Sequence, residues 1–311
     1  MPSETQPERC PEDQLPISCL GEALVDLICE RNLAEGEMPG IYVAWPGGAL
    51  ANVAVAIRRA GLPAALIGGV GADRWGDWLA GTLDAEGVGT SWLASVAGAA
   101  TPVALIDFGP DQEPSFQVYG DQIGPTMAAA SGFLADAIGG SQALVVGSNT
   151  MVGKIERDIT REAIRLTRAR GLPLLIDPNY RPGRWTDARI ARDFCLELAR
   201  AATVMKLNQA EARLLTGRED PLTAARELAA TGPELVVVTA GRGEIVTAGA
   251  VEARYRPEPL DPVSPLGAGD AFMGGLAAGL ASRGWDPARA GEVLEEASRA
   301  AARVCLGWGA Q

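Results

Sequence analysis

The residues best suited to chemistry lie in one short stretch near the C-terminal end of the chain. Gly267, Ala268 and Gly269 run directly into Asp270, and an apolar, helix-compatible run follows from Ala271 to Ala281. Free N–H groups at a helix start and small residues beside them predict a phosphate pocket with a carboxylate at its rim. Asp270 there could take a proton from a hydroxyl that attacks the phosphate. The alternative interpretation is a glycine-rich turn with Asp270 as a helix cap.

A second group of residues, in the N-terminal part, could bind a polyhydroxyl ligand. Asp26 interrupts an apolar, strand-like run from Ile17 to Ile28, and Gly47-Gly48 opens a helix that includes Asn52 and runs through Ala60, with Gly61 stopping it. A buried acid needs a partner, and hydroxyl groups are suitable ones. Glycines let a ligand reach the backbone, and an amide both donates and accepts. In the competing interpretation Asp26 and Asn52 face solvent and the two glycines only make a turn.

Composition excludes several classes of protein. The chain has 311 residues, a formal net charge of −12 and no histidine, so a histidine base, a Ser-His-Asp triad and histidine metal ligands are ruled out. The negative charge disfavours nucleic acid and anionic membranes as partners. Five scattered cysteines without CxxC spacing are typical of a reduced, cytoplasmic protein. The first residues are unlike a signal peptide, and no apolar run is long enough to span a bilayer.

Regular alternation of strands and helices begins near residue 143. Apolar strands at 144–146, 174–176, 204–207 and 235–238 alternate with helical stretches at 153–170, 187–201 and 209–216. This order predicts parallel βαβ units, whose strands share one carboxyl edge that lines a ligand crevice. Small and polar residues follow all four strands: Gly147-Ser148-Asn149, Asp177-Pro178-Asn179, Asn208 and Thr239-Ala240-Gly241.

Two of these strand ends could serve a nucleotide. Asn208 and Glu211 can face the same direction and hold a hydrated Mg²⁺ on phosphates, although Glu211 is also a plain first-turn acid. Gly241 and Gly243 let their loop lie flat against a nucleotide, or they only make a hairpin. The glycine pattern at 68–73 fails the GxGxxG spacing because Arg74 replaces the third glycine. A dinucleotide enzyme is therefore disfavoured.

A small additional sheet is predicted outside the main body. Thr101–Phe108 and Ser115–Tyr119 alternate like a hairpin around Gly109-Pro110-Asp111, and 41–46 is extended. Short strands with a polar turn suit a flap over a site. Residues 1–16 are interpreted as a disordered lead-in, and 17–311 as one domain with lid segments at about 36–47 and 101–120.

Four motifs in register resemble the PfkB-type, or ribokinase-like, sugar kinases. The motifs are Gly47-Gly48…Asn52 with Gly68-Gly69-Val70-Gly71-Ala72-Asp73…Gly76, Lys206-Leu207-Asn208-Gln209-Ala210-Glu211, Thr239-Ala240-Gly241-Arg242-Gly243, and Ser264 to Gly274. The resemblance runs from about residue 17 to the end. It implies an α/β fold with a doubly wound, mostly parallel sheet flanked by helices and a small β-sheet lid that is often a dimer surface.

The resemblance also implies ATP-dependent phosphorylation of a sugar hydroxyl and roles for individual residues. Asp270 would be the base, with Gly267, Ala268 and Gly269 as the anion hole. The sugar would be bound by Asp26, Gly47, Gly48, Asn52, Tyr119 and Arg181. ATP would be bound by Lys206, Asn208, Thr239, Gly241, Gly243, Gly267 and Gly269, and Mg²⁺ by Asn208 and Glu211 through water. The implied assembly is a homodimer through the lid.

The substrate predicted from these resemblances is a neutral ketohexose such as fructose. Gly21–Asp26 and Asp177–Arg181 are similar to the fructokinase and 2-keto-3-deoxygluconate kinase branches. Gly120 stands where many of those sequences have an arginine, which leaves Arg181 as the guanidinium for an acid sugar. The alternatives are a 2-keto-3-deoxygluconate kinase, a ribokinase, a nucleoside kinase and a non-catalytic binding relative. Ser264-Pro265-Leu266 replaces the usual Asp-Thr-Thr, which leaves activation by K⁺ open.

Overall fold

The computed structural model describes residues 14–110, 114–119 and 123–311. Three sequence features lie wholly or partly outside these ranges: the predicted lead-in, of which only 14–16 is described, Asp111 at the end of the hairpin turn, and Gly120, which stands where many related sequences have an arginine. Within them, no helix is both long enough and apolar enough to cross a membrane.

A nine-stranded sheet forms the body of the protein. Its order is β13-β12-β11-β10-β9-β8-β1-β4-β5, parallel from β11 to β5 and antiparallel at β12 and β13. The strands are β1 (Ile17–Leu20), β4 (Ala64–Gly71), β5 (Leu93–Val96), β8 (Ala143–Gly147), β9 (Leu174–Asp177), β10 (Val204–Asn208), β11 (Leu235–Thr239), β12 (Ile245–Gly249) and β13 (Arg254–Tyr255). The predicted parallel α/β architecture is confirmed.

Helices cover both faces of this sheet because its strands are apolar on both faces. In β11, Leu235 and Val237 enter one buried cluster while Val236 and Val238 enter the other. Such runs are typical of parallel strands buried on both sides. The helices are α1 (Ala49–Arg59), α2 (Arg74–Ala85), α3 (Ile123–Ala128), α4 (Leu134–Gly139), α5 (Lys154–Ala169), α6 (Ala188–Ala201), α7 (Gln209–Thr216), α8 (Pro221–Ala229), α9 (Ala268–Ala281) and α10 (Leu294–Val304).

The predicted lid is a separate four-stranded sheet in the order β3-β2-β6-β7. Its strands are β2 (Leu24–Asn32), β3 (Val43–Gly47), β6 (Val103–Phe108) and β7 (Pro114–Tyr119). The sheet pairs β2 and β6 in parallel and places β3 and β7 at its edges. A small apolar cluster of Ile28, Ile106, Phe108, Leu266 and Ala310 joins it to the body.

Two predicted elements are each divided in the structure. The apolar run 17–28 is two strands, β1 in the main sheet and β2 in the lid, because the chain turns at Gly21–Ala23, where the acid Glu22 interrupts the pattern. The stretch 287–306, whose amphipathic pattern predicts one final helix, is a 3₁₀ turn, Pro287–Glu292, followed by α10. The first division is the important one, since it places Asp26 on a lid strand and not on the main sheet.

Candidate active site

Asp270 lies in the first turn of α9, as predicted, and two side-chain amides hold its carboxylate. Asn52 on α1 donates from Nδ2 to Oδ2 at 2.9 Å, and Asn179 donates from Nδ2 to Oδ1 at 2.7 Å. Asn179 follows β9 with φ of 45°, a left-handed conformation that asparagine tolerates better than most residues. Asp270 is 5 % exposed. The carboxylate is therefore fixed in direction by groups from two distant parts of the chain.

The environment of Asp270 favours a base that titrates near neutrality. Burial raises the pKa of Asp270 to about 6, the hydrogen bond from Asn52 opposes that rise, and the negative charge of Asp177 adds to it. The cations Arg181 and Lys206 also hold the pKa of Asp270 down. A general base is most effective when its pKa lies close to the working pH. Asp270 meets this condition without a histidine.

The glycine turn before Asp270 faces a buried ammonium group. A Cβ added to Gly269 would lie 3.0 Å from Lys206 Nζ, so little separates this backbone from the cation. Lys206 is buried and donates to Asp177 Oδ2 at 2.9 Å. Burial alone would lower the pKa of Lys206, but the carboxylates of Asp177 and Glu211 raise it, so the ammonium stays charged. The α9 N-terminus and Lys206 together fit an anion beside Asp270.

Asp26 lies on the lid strand β2, close to Asp270. A Cβ added to Gly47 would be 2.1 Å from Asp26 Oδ2, so this glycine leaves the room that the carboxylate occupies. Burial, together with the negative charges of Asp270 and Glu22, raises the pKa of Asp26 to about 7 against the opposing effect of Arg181. The guanidinium of Arg181 stacks on the Phe116 ring of the lid at 4.3 Å. Asp26 and Arg181 thus lie close enough to Asp270 for their charges to act on it, and their roles as sugar ligands remain predictions.

Two predicted sugar ligands are placed differently from the others. Asn52 is at the site, but one of its N–H groups is bonded to Asp270 and its Oδ1 accepts from Gln311 Nε2 at 3.0 Å. Tyr119 is 56 % exposed at the end of β7, and its hydroxyl donates to Gln117 on the same strand. Among the contacts that the structure describes, none joins Tyr119 to Asp26 or Asp270. Its role as a sugar ligand remains a prediction.

Three of the seven predicted nucleotide residues line one cleft at the carboxyl edge of the sheet, and Lys206, Gly243, Gly267 and Gly269 are not part of its lining. Asn208, Thr239 and Gly241 border an open cleft of about 830 Å³, together with residues of α7. Gly241 has φ of 55°, a conformation suited to glycine. The N–H of Gly243 donates to the carbonyl of Ala240 at 2.7 Å and closes the turn before β12.

Asn208 and Glu211 form a capping box at the start of α7. Asn208 Oδ1 accepts from the Glu211 N–H at 2.9 Å, and Glu211 Oε2 accepts from the Asn208 N–H at 2.8 Å. Glu211 Oε1 accepts from the N–H of Tyr180 at 2.7 Å. Glu211 is buried and both of its oxygens are in use, whereas Asn208 is exposed to the cleft. The described residues contain no cluster of three or more acids or cysteines that could hold a metal. This arrangement fits contact with a metal through water better than direct coordination.

Sequence reasoning assigned no role to four residues of the site: Glu22, Asn149, Asn179 and Gln311. Glu22 is buried in the turn between β1 and β2 and accepts from Asn149 Nδ2 at 2.9 Å. Burial raises the pKa of Glu22, while Asn149, Arg184 and Arg181 oppose that rise. Asn179 and Asn149 were visible as polar residues after strands, but their partners were not. Gln311 gave no signal, because it follows a tail with no recognisable motif.

A protein-family model spans most of the chain. The model of the pfkB family carbohydrate kinases matches residues 15–309. The chain belongs to the PfkB family. It is therefore a carbohydrate kinase, that is, a phosphotransferase, and the fold and enzyme class predicted from its motifs are confirmed.

Relatives within the PfkB family include fructokinases from several bacteria. The chain is 33 % identical to a fructokinase of Klebsiella pneumoniae over 268 residues, which cover 85 % of this chain and 84 % of the relative. It is 31 % identical to a fructokinase of Vibrio alginolyticus over 265 residues, 84 % of this chain and 82 % of the relative. A fructokinase of Vibrio cholerae, crystallised with fructose, ADP and calcium, is 26 % identical and superposes with a TM-score of 0.82, covering 95 % of this chain and 94 % of that one.

Proposed function

We propose that this PfkB protein transfers the γ-phosphoryl group of ATP to a hydroxyl of a neutral ketohexose, with fructose as the first candidate. The observation that carries the proposal is the position of Asp270. Its carboxylate is held by Asn52 and Asn179 directly beside a turn and a helix start that fit a phosphate. A base and an anion site side by side are what phosphoryl transfer to an alcohol requires.

The chain's own groups supply proton removal and charge stabilisation. Asp270 takes the proton of the attacking hydroxyl, whose oxygen then forms the new bond to phosphorus as ADP leaves. ATP, when bound, supplies the transferable phosphoryl group. The N–H groups at 267–269 and the ammonium of Lys206 stabilise the negative charge on the oxygens of the transferred phosphoryl group. Asp26, with its pKa raised by burial, accepts hydrogen bonds from sugar hydroxyls in either protonation state.

Unpaired acceptors around the two aspartates favour a neutral, hydroxyl-rich substrate. Glu22 Oε2, Asn149 Oδ1 and Asn179 Oδ1 are buried and have no hydrogen-bond partner within the described residues. A buried acceptor without a donor is costly, and sugar hydroxyls are donors. A substrate carboxylate offers no donor and would lie near three acids, Asp26, Asp270 and Glu22. Arg181 and Arg184 are the cations that act on Asp26 and Glu22, and Lys206 beside Asp270 is already paired with Asp177, so three acids outnumber the positive charges left for a substrate carboxylate.

The nucleotide and metal assignments rest on the cleft and on the relatives. A fructokinase of Xylella fastidiosa, 25 % identical with a TM-score of 0.80, was crystallised with bound ATP and covers 95 % of this chain and 93 % of its own. By analogy, Asn208, Thr239 and Gly241 would hold ATP in the cleft, and Asn208 and Glu211 would hold Mg²⁺ through water, where the metal would neutralise charge on the phosphates. Activation by a monovalent cation stays open.

Two further parts of the proposal concern the assembly and the compartment. The edge strands of the lid, β3 and β7, carry exposed apolar residues including Val43 and Tyr119, which supports a homodimer formed through the lid. Cys19, Cys29, Cys195 and Cys305 are free thiols, which supports a reducing compartment such as the cytoplasm.

The test is ADP release measured over a panel of neutral ketoses, aldoses, acid sugars and nucleosides. Fructose should give the highest kcat/KM, and Asp270→Asn should lower kcat by ~100-fold or more while ATP still binds. Asp77→Asn, which changes an exposed acid in the first turn of α2, is the matched control and should retain activity. Near-normal turnover in a folded Asp270→Asn protein would remove Asp270 from the mechanism. A preference for 2-keto-3-deoxygluconate that Arg181→Ala abolishes would replace fructose by the acid sugar.

A further inference from the structure

The segment after α10 does not extend into solvent but lies between the lid and the catalytic turn. The Trp308 ring packs edge-on against Phe108 of β6, with 5.3 Å between ring centroids. Gly309, with φ of 88°, lies against the Trp45 ring of β3, where a Cβ would come within 2.7 Å. The next residue, Ala310, is buried against Gly267, where a Cβ would come within 2.4 Å of its carbonyl oxygen. Residues 307–311, here called the tail, therefore have a fixed path.

This path places the Gln311 side chain against Asn52, which in turn is hydrogen-bonded to the base. Gln311 Nε2 donates to Asn52 Oδ1 at 3.0 Å, and Asn52 Nδ2 donates to Asp270 Oδ2 at 2.9 Å. An asparagine amide has an oxygen on one side and an NH₂ group on the other, and rotation by half a turn exchanges them. A donor at Gln311 requires the Asn52 oxygen on its own side, and so leaves the NH₂ group facing Asp270.

We propose that Gln311 is a positioning residue that fixes the orientation of the Asn52 amide and, through it, the state of the catalytic carboxylate. The proposal rests on the role of Asp270 as base. Among the hydrogen bonds that the structure describes, the Gln311 side chain reaches Asn52 and neither Asp270 nor residues 267–269. Its effect passes through Asn52, whose reversed amide would present an oxygen to the Asp270 carboxylate and replace an attraction by a repulsion.

Loss of the Gln311 donor should therefore raise the pKa of Asp270. The other charged groups around that carboxylate come from three elements: Asp26 on β2, Asp177 and Arg181 at and after β9, and Lys206 on β10. A substitution at 311 leaves all four in place. The hydrogen bond from Asn52 lowers the pKa of Asp270 in the intact site, so losing this bond or reversing the amide raises that pKa.

The test is the pH dependence of kcat at saturating sugar and ATP for Gln311→Met, an uncharged replacement of similar length without a donor. We expect the apparent pKa on the acid side of the kcat profile, here called the acid limb, to rise by about 0.5 to 1 pH unit. This is the size expected when a hydrogen bond to a charged group is weakened. At pH 6 kcat should then fall about two- to fivefold, and at pH 8.5 it should change little. Gln311→Glu should move the limb further, because an acceptor at 311 favours the reversed amide and adds a negative charge.

The control is Leu306→Met, an uncharged change at an exposed residue directly before the tail, which should leave the limb in place. The thermal midpoint of each variant is measured in parallel, since a purely structural role for Gln311 would lower it and leave the limb unmoved. An unmoved limb in Gln311→Met, with Asp270→Asn inactive, would overturn the inference and leave the proposed function intact. An active Asp270→Asn protein would instead overturn both.

Discussion

The free energy of unfolding of Asp270→Asn, compared with that of the wild type, should increase as the pH rises. Burial raises the pKa of Asp270 from 3.8 to about 6. A carboxyl group that binds its proton more tightly when folded stabilises the fold at low pH. This stabilisation is lost as the pH rises through the folded pKa. The wild type should therefore lose stability across this range, and Asp270→Asn, which does not titrate, should not lose this contribution.

The magnitude follows from the two pKa values. With 6 for the folded and 3.8 for the unfolded state, this group alone lowers the wild-type free energy of unfolding by about 1.4 kcal/mol between pH 5 and pH 8. Asp26 adds to the difference in pH dependence between the two proteins. The charge of Asp270 raises the pKa of Asp26, and asparagine at 270 removes that charge. The side-chain amide introduced at position 270 must also face an NH₂ group of Asn52 or Asn179, which costs about 1–3 kcal/mol at every pH and leaves the slope unchanged.

Urea unfolding of the two proteins at pH 5 and pH 8 tests this reasoning. The stability of Asp270→Asn relative to the wild type should improve by at least about 1 kcal/mol from pH 5 to pH 8. The Asp77→Asn protein, altered at an exposed acid, should keep a constant difference from the wild type. A difference between Asp270→Asn and the wild type that is the same at both pH values would refute a raised pKa, and with it the buried, poised base.

Three further predictions concern the lid, the sugar site and the metal. Gly47→Ala should raise the KM for the sugar by about 10-fold or more and change the KM for ATP little, because the new methyl group occupies the place of the Asp26 carboxylate. Gly81→Ala, in open space on α2, is the control and should leave both KM values unchanged. An unchanged sugar KM in Gly47→Ala would contradict the assignment of Asp26. Glu211→Gln should raise the Mg²⁺ concentration needed for half-maximal rate, and a lowered thermal midpoint with an unchanged Mg²⁺ titration would leave Glu211 a purely structural role. Hydrogen exchange at 43–47 and 103–108 should slow when sugar binds, and protection confined to 203–275 would count against a closing lid.

The sequence predicted the parts of this protein that depend on local patterns. The strand–helix alternation, the helix after Asp270 and the glycine turn before it depend on neighbouring residues, and all are present as predicted. The partners of Asp270 were not predictable in this way. Asn52 and Asn179 lie 218 and 91 positions from it, and Gln311 lies 259 positions from Asn52. No periodicity or cap signature links such positions, because folding of the whole sheet brings them together.

The division of 17–28 into two strands shows the same limit. Both halves are apolar, and a hydrophobic pattern does not specify to which sheet a strand belongs. The complete burial of β1 suits a central parallel strand, whereas β2 becomes partly exposed toward its end. Only the pairing of β2 with β6 shows that Asp26 reaches the site from the lid.

The parallel pairing of β2 with β6 has a consequence for the order in which the protein assembles. Val25 lies opposite Val103, and α1, β4, α2 and β5 all lie between them in the chain. Contacts between such distant segments form slowly, because the loop between them must first be closed. We expect the lid sheet to form after the N-terminal half of the body and to open before it under mild denaturant. A partly unfolded protein would then keep its nucleotide cleft while Asp26 had already left the site.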